Sequence, residues 1–380
     1  MIYEYQQNRR FFAQVPDGME ALAQEELTEL GAWNTGTAYR GVRFEADLKT
    51  LYRINYTARL PTRVLAPLIA FRCHSYEYLY KRARQVEWSE IFTPKHSFAV
   101  VANVSNSSLR HSQHATLTLK DAVVDYFKDR FNKRPDVEKI EPDLRINLHV
   151  ENNWATLSLD TSGESLHRRG YREETQEAAM QETLAAAIIR LTGWVGSTPL
   201  HDPMCGSGTL LCEALMHYCR IPSGFLRKRF GFEFLPDHDE QLWQAVKEEA
   251  GRGIRDLPEG LISGSDLSKE AVQISRANLR RLPHGAKVKI QTMDFRDIKE
   301  LEGTTIVCDP PYGIRTHRGE DLGELYKALG DFLKQRCRGS TAFIYFGNRN
   351  LISRMGLRTS RKVPLSAGGL DGRLVTYELY

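Results

Sequence analysis

The segment Thr304–Gly313 (TTIVCDPPYG) joins an apolar stretch to an acid, two prolines and a tyrosine. Two prolines after a buried strand make a rigid turn with fixed φ angles, so Asp309 and the Pro310 carbonyl should project into the crevice at the strand end. An exocyclic amine on a nucleobase is a poor nucleophile because its lone pair is delocalised into the ring. Two acceptors that grip its hydrogens can pyramidalise the amine and aim the lone pair at an electrophile.

Tyr312 follows the two prolines and supplies a ring on which a base turned out of its helix can stack. The alternative interpretation is a structural turn in which Asp309 only caps a following helix. Cys308 could suggest a cysteine nucleophile, but adjacent strand residues point to opposite faces, so we expect this thiol in the core. The candidate catalytic residues are therefore Asp309, Pro310 and Tyr312.

A second pattern, HDPMCGSGT at 201–209, leads from a predicted strand into a predicted helix. Gly206 and Gly208 let the backbone approach a ligand, and the free N–H groups of a helix start favour a negative group. A dinucleotide-binding loop would need a third glycine where Leu211 stands, and a P-loop would need a lysine. With Asp202 before the glycines, the loop suits a small zwitterion whose ammonium faces that acid.

Two further acids end predicted strands, Asp266 in ISGSD and Asp294 in IQTMD. The first could accept both hydroxyls of a ribose, and the second could accept from an adenine amine. Each acid alone is more often a helix cap, but together with the loop they predict S-adenosylmethionine. The candidate cofactor-binding residues from these patterns are Asp202, Met204, Cys205, Gly206, Gly208, Thr209, Asp266 and Asp294.

The elements that must position these residues begin near Gln181, where helices alternate with apolar strands in the manner of a doubly wound α/β domain. An interval of 64 residues separates Asp202 from Asp266, which predicts an insertion near 219–260 with its own helix at 239–250. The predicted strands of this domain are 198–202, 261–266, 288–293, 304–309, 341–346, 360–365 and 374–379.

The first 165 residues alternate short strands and helices. Those at 11–15, 17–31, 41–46, 47–58 and 64–71 supply five of the six elements of the β-α-β-β-α-β order of a ferredoxin-like fold, which we therefore predict. A second α+β block follows, with helices at 75–86 and 115–131 and strands at 97–104, 144–150 and 154–159. We therefore predict domains at 1–70, 71–165 and 166–380, the last of them Rossmann-like.

The amino-acid composition argues against several classes of protein, among them membrane and secreted proteins. The 380 residues are 41% hydrophobic and 26% charged, with a net charge of +4, as in an ordinary globular protein. No apolar run approaches the ~20 residues of a membrane span, and the start does not read as a secretory signal. Six cysteines without a Cys-x-x-Cys pair predict free thiols in the cytoplasm and no metal site.

Charge is unevenly distributed along the chain. Residues 71–120 hold seven Lys and Arg against three Glu, together with four histidines. A local basic surface of this kind attracts a polyanion and makes its binding salt-dependent. The alternative is a solvated face of mixed charge.

Four motifs together carry a family resemblance: SLHRRGYR at 165–172, QETLAAAI at 181–188, the DPMCGSGT loop and DPPY at 309–312. Over essentially the whole chain, the sequence resembles the bacterial THUMP-domain class I methyltransferases. These include the RlmL-like 23S rRNA guanine-N2 methyltransferase and relatives described as N6-adenine-specific methylases. The resemblance implies a ferredoxin-like domain and a THUMP RNA-binding domain ahead of the methyltransferase domain. It also implies that Glu182 and Thr183 lie against the methionine part of the cofactor.

One departure from that family matters for the target base. Its rRNA members usually have Asn where this chain has Asp309, and Asp-Pro-Pro-Tyr also occurs in tRNA guanine-N2 and adenine-N6 enzymes. Methylation of guanine N2 in 23S rRNA or a ribosomal precursor is the leading hypothesis, with adenine N6 in RNA or DNA and tRNA guanine N2 left open. A non-catalytic RNA-binding assembly factor and a nicotinamide dehydrogenase are the more remote alternatives.

Several arginines could hold RNA phosphates. One group lies on the predicted interdomain segment and the other just past the acidic turn, where it would flank the base pocket. The candidate RNA-binding residues are Arg168, Arg169, Arg172, Arg315 and Arg318. We expect structured RNA as the partner, and neither a membrane nor an obligate protein partner.

Overall fold

The computed structural model describes residues 1–172, 180–312, 322–366 and 371–380. The chain divides into two units. Unit 1 comprises Met1–Val15, Ala23–Leu166 and Arg227–Lys247, and unit 2 comprises Pro16–Leu22, His167–Leu226 and Glu248–Tyr380. The segment 227–247, which the sequence places inside the third predicted domain, is thus part of unit 1.

The helices and strands up to residue 160 include those predicted, with one helix (Glu4–Asn8) and two strands (Trp33–Ala38 and Asp136–Val137) added. They are α1 (Glu4–Asn8), β1 (Arg10–Gln14), α2 (Glu20–Glu29), β2 (Trp33–Ala38), β3 (Gly41–Glu45), α3 (Leu48–Thr57), β4 (Arg63–Arg72), α4 (Tyr76–Ala83), β5 (Ser97–Ser105), α5 (Ser112–Phe131), β6 (Asp136–Val137), β7 (Leu144–Glu151) and β8 (Trp154–Asp160).

The remaining elements alternate between helices and strands. They are α6 (Glu182–Thr192), β9 (Leu200–Asp202), α7 (Thr209–Cys219), α8 (Glu240–Arg252), β10 (Ile262–Asp266), α9 (Lys269–Arg280), β11 (Lys289–Thr292), β12 (Thr305–Cys308), α10 (Leu322–Arg336), β13 (Thr341–Phe346), β14 (Arg361–Pro364) and β15 (Arg373–Glu378).

The strands of unit 1 form one sheet with the order β2-β3-β1-β4-β8-β7-β5-β6. Its first four strands have the ferredoxin-like order, and β4 continues the sheet into the second block. β4 pairs with β1 through Phe12 and Leu65 and with β8 through Ala70 and Thr156. The predicted boundary at 70/71 therefore lies inside a strand that both folds share.

Strand β2 was not predicted because its sequence, WNTGTA, does not alternate. Its pairing with β3 shifts register between Trp33 and Gly36. A bulge of this kind breaks the period-two pattern from which a strand is recognised. The start of α3 could be predicted from sequence because Asp47 is a typical N-cap residue. In the structure Asp47 accepts a hydrogen bond from the backbone N–H of Thr50 at 2.8 Å.

The sheet of unit 2 has the order β11-β10-β9-β12-β13-β15-β14. β11, β10, β9, β12 and β13 are parallel, and β15 is antiparallel to both of its neighbours. This confirms the predicted Rossmann-like doubly wound sheet. Because β9, β10 and β12 are parallel neighbours, their carboxyl ends meet at one edge, where ligands of such sheets bind.

The segment 227–247 packs through aromatic side chains on α3. The Trp243 ring lies 5.2 Å from that of Tyr56 and 5.0 Å from that of Phe232, and Phe232 lies 4.5 Å from Tyr52. Tyr52 and Tyr56 are four residues apart, so they share one face of the helix. Residues 227–247 of the predicted insertion at 219–260 therefore pack against the ferredoxin-like region.

Two further observations bear on the function classes. All six cysteines are buried and none forms a disulfide. Within the parts of the chain that the structure describes, no helix has both the length and the apolar character that crossing a membrane would require.

The aromatic cluster gives the first testable prediction. Trp243 is only 5% exposed, so Trp243→Ala would leave a cavity between segment 227–247 and α3. We expect the free energy of unfolding of unit 1 to fall by about 3–5 kcal/mol, measured by chemical denaturation. Trp154→Ala is the matched control because Trp154 is 50% exposed. Equal stability of the two variants would contradict the role given to the cluster.

Candidate active site

The loop between β9 and α7 is tied to the neighbouring strand β10. The backbone N–H of Cys205 donates to the Ser265 carbonyl at 2.9 Å. The N–H of Gly206 donates to Oδ2 of Asp266 at 2.8 Å. Asp266 thus closes the loop over the end of its own strand, which holds the loop backbone in one conformation.

The two glycines of the loop have left-handed backbones, with φ +52° at Gly206 and +78° at Gly208. A Cβ on Gly208 would lie 2.2 Å from Oγ of Ser275 on α9, whereas a Cβ on Gly206 would meet nothing within 4 Å. Gly208 therefore permits close packing of the helix, and Gly206 borders open space. Open space beside the loop backbone is what the close approach of a ligand would require.

Asp202 ends β9 and is 2% exposed. Its Oδ1 accepts a hydrogen bond from the N–H of Met204 at 3.1 Å. Burial raises the pKa of Asp202 well above its usual value, and the nearby carboxylates of Asp266 and Asp309 raise it further. A buried acid among other acids favours a cationic ligand group, which fits the ammonium predicted for this position.

Asp266 and Asp294 both act as caps in this structure. The carboxylate of Asp266 also accepts from the N–H of Ser268 at 2.9 Å, and that of Asp294 accepts from the N–H of Arg296 at 2.9 Å. Arg296 in addition forms an ion pair with Asp294 at 2.8 Å. Each carboxylate oxygen has a second lone pair, so their contacts with a ribose and an adenine remain predictions.

The acidic turn follows β12. Oδ1 of Asp309 is enclosed and has no hydrogen-bond partner among the described residues. Burial raises the pKa of Asp309 to about 7. The Pro310 carbonyl accepts a hydrogen bond from the hydroxyl of buried Tyr326 at 3.5 Å, a contact that no local sequence pattern indicates. An enclosed acceptor without a donor is costly, so this oxygen is suited to receive an N–H from a ligand.

Tyr312 and Cys308, on either side of Asp309 and the two prolines, differ in their exposure. Tyr312 is half-exposed. Cys308 is 1% exposed within the hydrophobic cluster of unit 2, and burial raises the pKa of its thiol well above the usual value. Its assignment to the core is therefore confirmed.

Arg169 is not an RNA-binding residue, so that prediction is wrong. Its side chain has no exposed surface and lies 3.2 Å from Oε1 of Glu213, which is equally buried. Glu213 is the acid in the otherwise apolar LLCEAL stretch of α7. An isolated acid inside an apolar helix was the signal that a buried cation must lie nearby.

Arg172 is also turned inward. Its guanidinium donates to Oγ1 of Thr209 at 2.8 Å and lies 3.5 Å from Glu182. The prediction of a phosphate contact is therefore wrong here too, and Arg172 instead ties the start of α6 to the start of α7. Oε2 of Glu182 and Oγ1 of Thr183 are buried and have no partner among the described residues.

The remaining RNA-binding candidates divide in two. Arg168 is exposed and stays a prediction. Arg315 and Arg318 lie outside the described residues.

Within the described residues, no group of three or more His, Cys, Asp or Glu side chains could hold a metal ion.

Three family models match the chain. The family model described as "RMKL-like, methyltransferase domain" matches residues 169–376. A THUMP domain covers 73–160, and an RlmL ferredoxin-like domain covers 10–65. These matches confirm the predicted order of a ferredoxin-like region, a THUMP region and a methyltransferase domain.

The chain is similar to a Synechocystis sp. protein named as a proposed RNA methyltransferase, with 41% identity over 98% of this chain and 97% of the relative. It is 37% identical to the ribosomal RNA large subunit methyltransferase K/L of Syntrophotalea carbinolica over 97% of this chain, but it spans 53% of that relative. A solved structure of a proposed methyltransferase with bound S-adenosylhomocysteine superposes with a TM-score of 0.85, 27% identity and 98% coverage of both chains.

The two loop glycines generate a paired prediction. Gly206→Ala places a methyl group in the open space beside the loop, so we expect S-adenosylhomocysteine to bind about tenfold more weakly, as measured by calorimetry. Its melting temperature should fall less than that of Gly208→Ala, because the positive φ strains an alanine at both positions but only Gly208 also lacks space. Gly208→Ala presses on Ser275, so it should lower the melting temperature by several degrees. The reverse assignment of these two effects would contradict the geometry of the loop.

Proposed function

Because this chain belongs to the RMKL-like methyltransferase family, we propose that it methylates the N2 amine of a guanine in structured RNA, with 23S rRNA as the expected substrate. Its fold, family and cofactor are those of an S-adenosylmethionine-dependent RNA methyltransferase. The base and the RNA are our proposal.

The enclosed Oδ1 of Asp309 is the observation that carries this proposal. We assign one N2–H of the guanine to that oxygen and the other to the Pro310 carbonyl, so that the amine lone pair points away from the turn. The Tyr312 ring then supports the base by stacking. The bound cofactor would supply a methyl group on a positively charged sulfur.

The fate of the amine proton follows from the same residue. The methyl group would leave the sulfur, which becomes a neutral thioether, as the new N–C bond forms, and the amine nitrogen would then carry one proton too many. Burial has raised the pKa of the Asp309 carboxyl to about 7, so this carboxylate can take up that proton at Oδ1 and release it after the product leaves. Asp309 would thereby serve as both acceptor and general base.

The residues predicted to hold the cofactor fit its charges. The buried Asp202 would face the methionine ammonium, and the backbone at Gly206 would border the rest of the ligand. Glu182 and Thr183 bring buried polar atoms that have no partner among the described residues, as a ligand-facing position requires. These assignments extend the cofactor prediction to individual residues.

RNA recognition is assigned to the THUMP domain at 73–160, whose first part overlaps the basic stretch at 71–120. The choice of 23S rRNA rests on the K/L relative, of which this chain spans about half the length. We place the reaction in the cytoplasm, where ribosomal RNA is found.

The proposed function is tested by nucleoside mass spectrometry of rRNA from cells with and without this gene. We expect loss of N2-methylguanosine from one 23S position in the deletion strain, and its return when the purified chain and S-adenosylmethionine are added to that rRNA. Loss of N6-methyladenosine instead would overturn the choice of base. Loss of a tRNA modification would overturn the choice of RNA, and no change in any RNA would overturn the enzymatic proposal.

Asp309→Ala removes the enclosed acceptor, and we expect it to lower kcat by about a hundredfold or more. The affinity for S-adenosylhomocysteine should stay within about tenfold, because the residue is assigned to the amine rather than to the cofactor. Single-turnover kinetics and calorimetry measure the two effects separately. Equal losses of rate and cofactor affinity would mean that Asp309 acts on the cofactor.

The pH profile gives an independent check. Below the raised pKa of about 7 the Asp309 carboxyl is protonated, so the acceptor is lost as pH falls. We expect kcat/KM on RNA to rise with pH through this region and to level off above it. Asp309→Asn is the matched control because it keeps an acceptor oxygen that does not titrate, and its profile should be flat. The same inflection in both proteins would assign the titration to another group.

A further inference from the structure

Gly347 follows the end of β13 and is buried. β12 and β13 run parallel, with Cys308 beside Ile344. The carboxyl ends of these neighbouring strands lie at the same edge of the sheet, so the residue after β13 comes close to the turn after β12. The glycine therefore sits beside the acidic turn although it is far from it in sequence.

The space around Gly347 is filled by the Tyr312 side chain. A Cβ on this glycine would lie 2.8 Å from Cδ2, 2.9 Å from Cε2 and 2.9 Å from Cγ of that ring. Ordinary contacts at a Cβ are 3.4–4 Å. Three adjacent ring atoms at nearly equal distances mean that the added methyl group would press on the ring itself, which cannot bend away as a flexible chain end can.

Backbone conformation does not explain the glycine. Gly347 is absent from the described glycines with positive φ, so its backbone is one that any residue can adopt. The glycine is therefore required for space and not for a turn. The ring of Tyr312 occupies that space, and the residue is half-exposed.

We propose that Gly347 is a positioning residue that seats the Tyr312 ring for stacking on the target base. The proposal rests on the proposed function, because it takes Tyr312 as the support of the base. With an alanine at this position, the ring would have to rotate away from the turn. The amine would then be held less well between Asp309 and the Pro310 carbonyl, even though neither of those groups is altered.

Four variants test this: Gly347→Ala, Tyr312→Ala, the double variant, and Gly251→Ala as the matched control. A Cβ on Gly251 would meet nothing within 4 Å, and this residue lies on α8. We expect Gly347→Ala to lower kcat/KM on RNA about tenfold while the affinity for S-adenosylhomocysteine stays within about twofold of wild type. Gly251→Ala should match the wild type in both measurements.

The double variant distinguishes an effect of Gly347 through the Tyr312 ring from a general loss of activity. If Gly347 acts only through the Tyr312 ring, adding Gly347→Ala to Tyr312→Ala should change kcat/KM by less than about twofold. Multiplied losses in the double variant would overturn the proposal. So would a Gly347→Ala protein with wild-type activity.

Folding provides a readout that does not depend on activity. If Gly347→Ala lowers the melting temperature or fails to fold, the double variant should recover toward Tyr312→Ala alone, since the clash is with that ring. Persistent misfolding of the double variant would overturn the proposal. If the wild-type chain methylates no RNA, the proposed function fails, and the melting temperatures of the four variants still decide whether Gly347 seats the ring.

Discussion

The three carboxylates at the carboxyl edge of the unit 2 sheet impose the constraint on which this site depends. Asp202, Asp266 and Asp309 follow neighbouring parallel strands, so the fold cannot keep them apart. Their proximity and their burial raise the pKa of Asp202 well above its usual value. A site of this kind is incomplete without positive charge and N–H donors, which a sulfonium cofactor with an ammonium group and a base amine would together provide.

Two other buried acids in this unit have arginine partners. Glu213 is paired with Arg169 out of contact with solvent, and Glu182 faces Arg172. The first pair joins the segment before α6 to α7, and the second joins the same segment to α6, next to the loop that would hold the cofactor. Buried acids with arginine partners thus fix the scaffold, whereas Asp202 and the enclosed oxygen of Asp309 lie where ligands are expected.

Much of this was accessible from sequence because it depends on local patterns. The strand ends that carry Asp202, Asp266 and Asp309 follow from apolar runs, and the shared edge follows from parallel topology. The inward orientation of Arg169 and the place of Gly347 were not accessible, because both depend on which distant residues become neighbours. The same holds for segment 227–247, whose aromatic side chains reveal nothing of the helix they cover until Tyr52 and Tyr56 are placed.

The central claim is that the enclosed oxygen of Asp309 and the Pro310 carbonyl grip one exocyclic amine. A crystal structure of the chain with S-adenosylhomocysteine and a guanosine-containing RNA oligonucleotide tests it most directly. The account predicts the guanine N2 atom at about 2.7–3.2 Å from both Oδ1 of Asp309 and the Pro310 oxygen, with the base stacked on Tyr312. A base bound elsewhere, or an Asp309 carboxylate paired with donors of its own chain, would contradict the account.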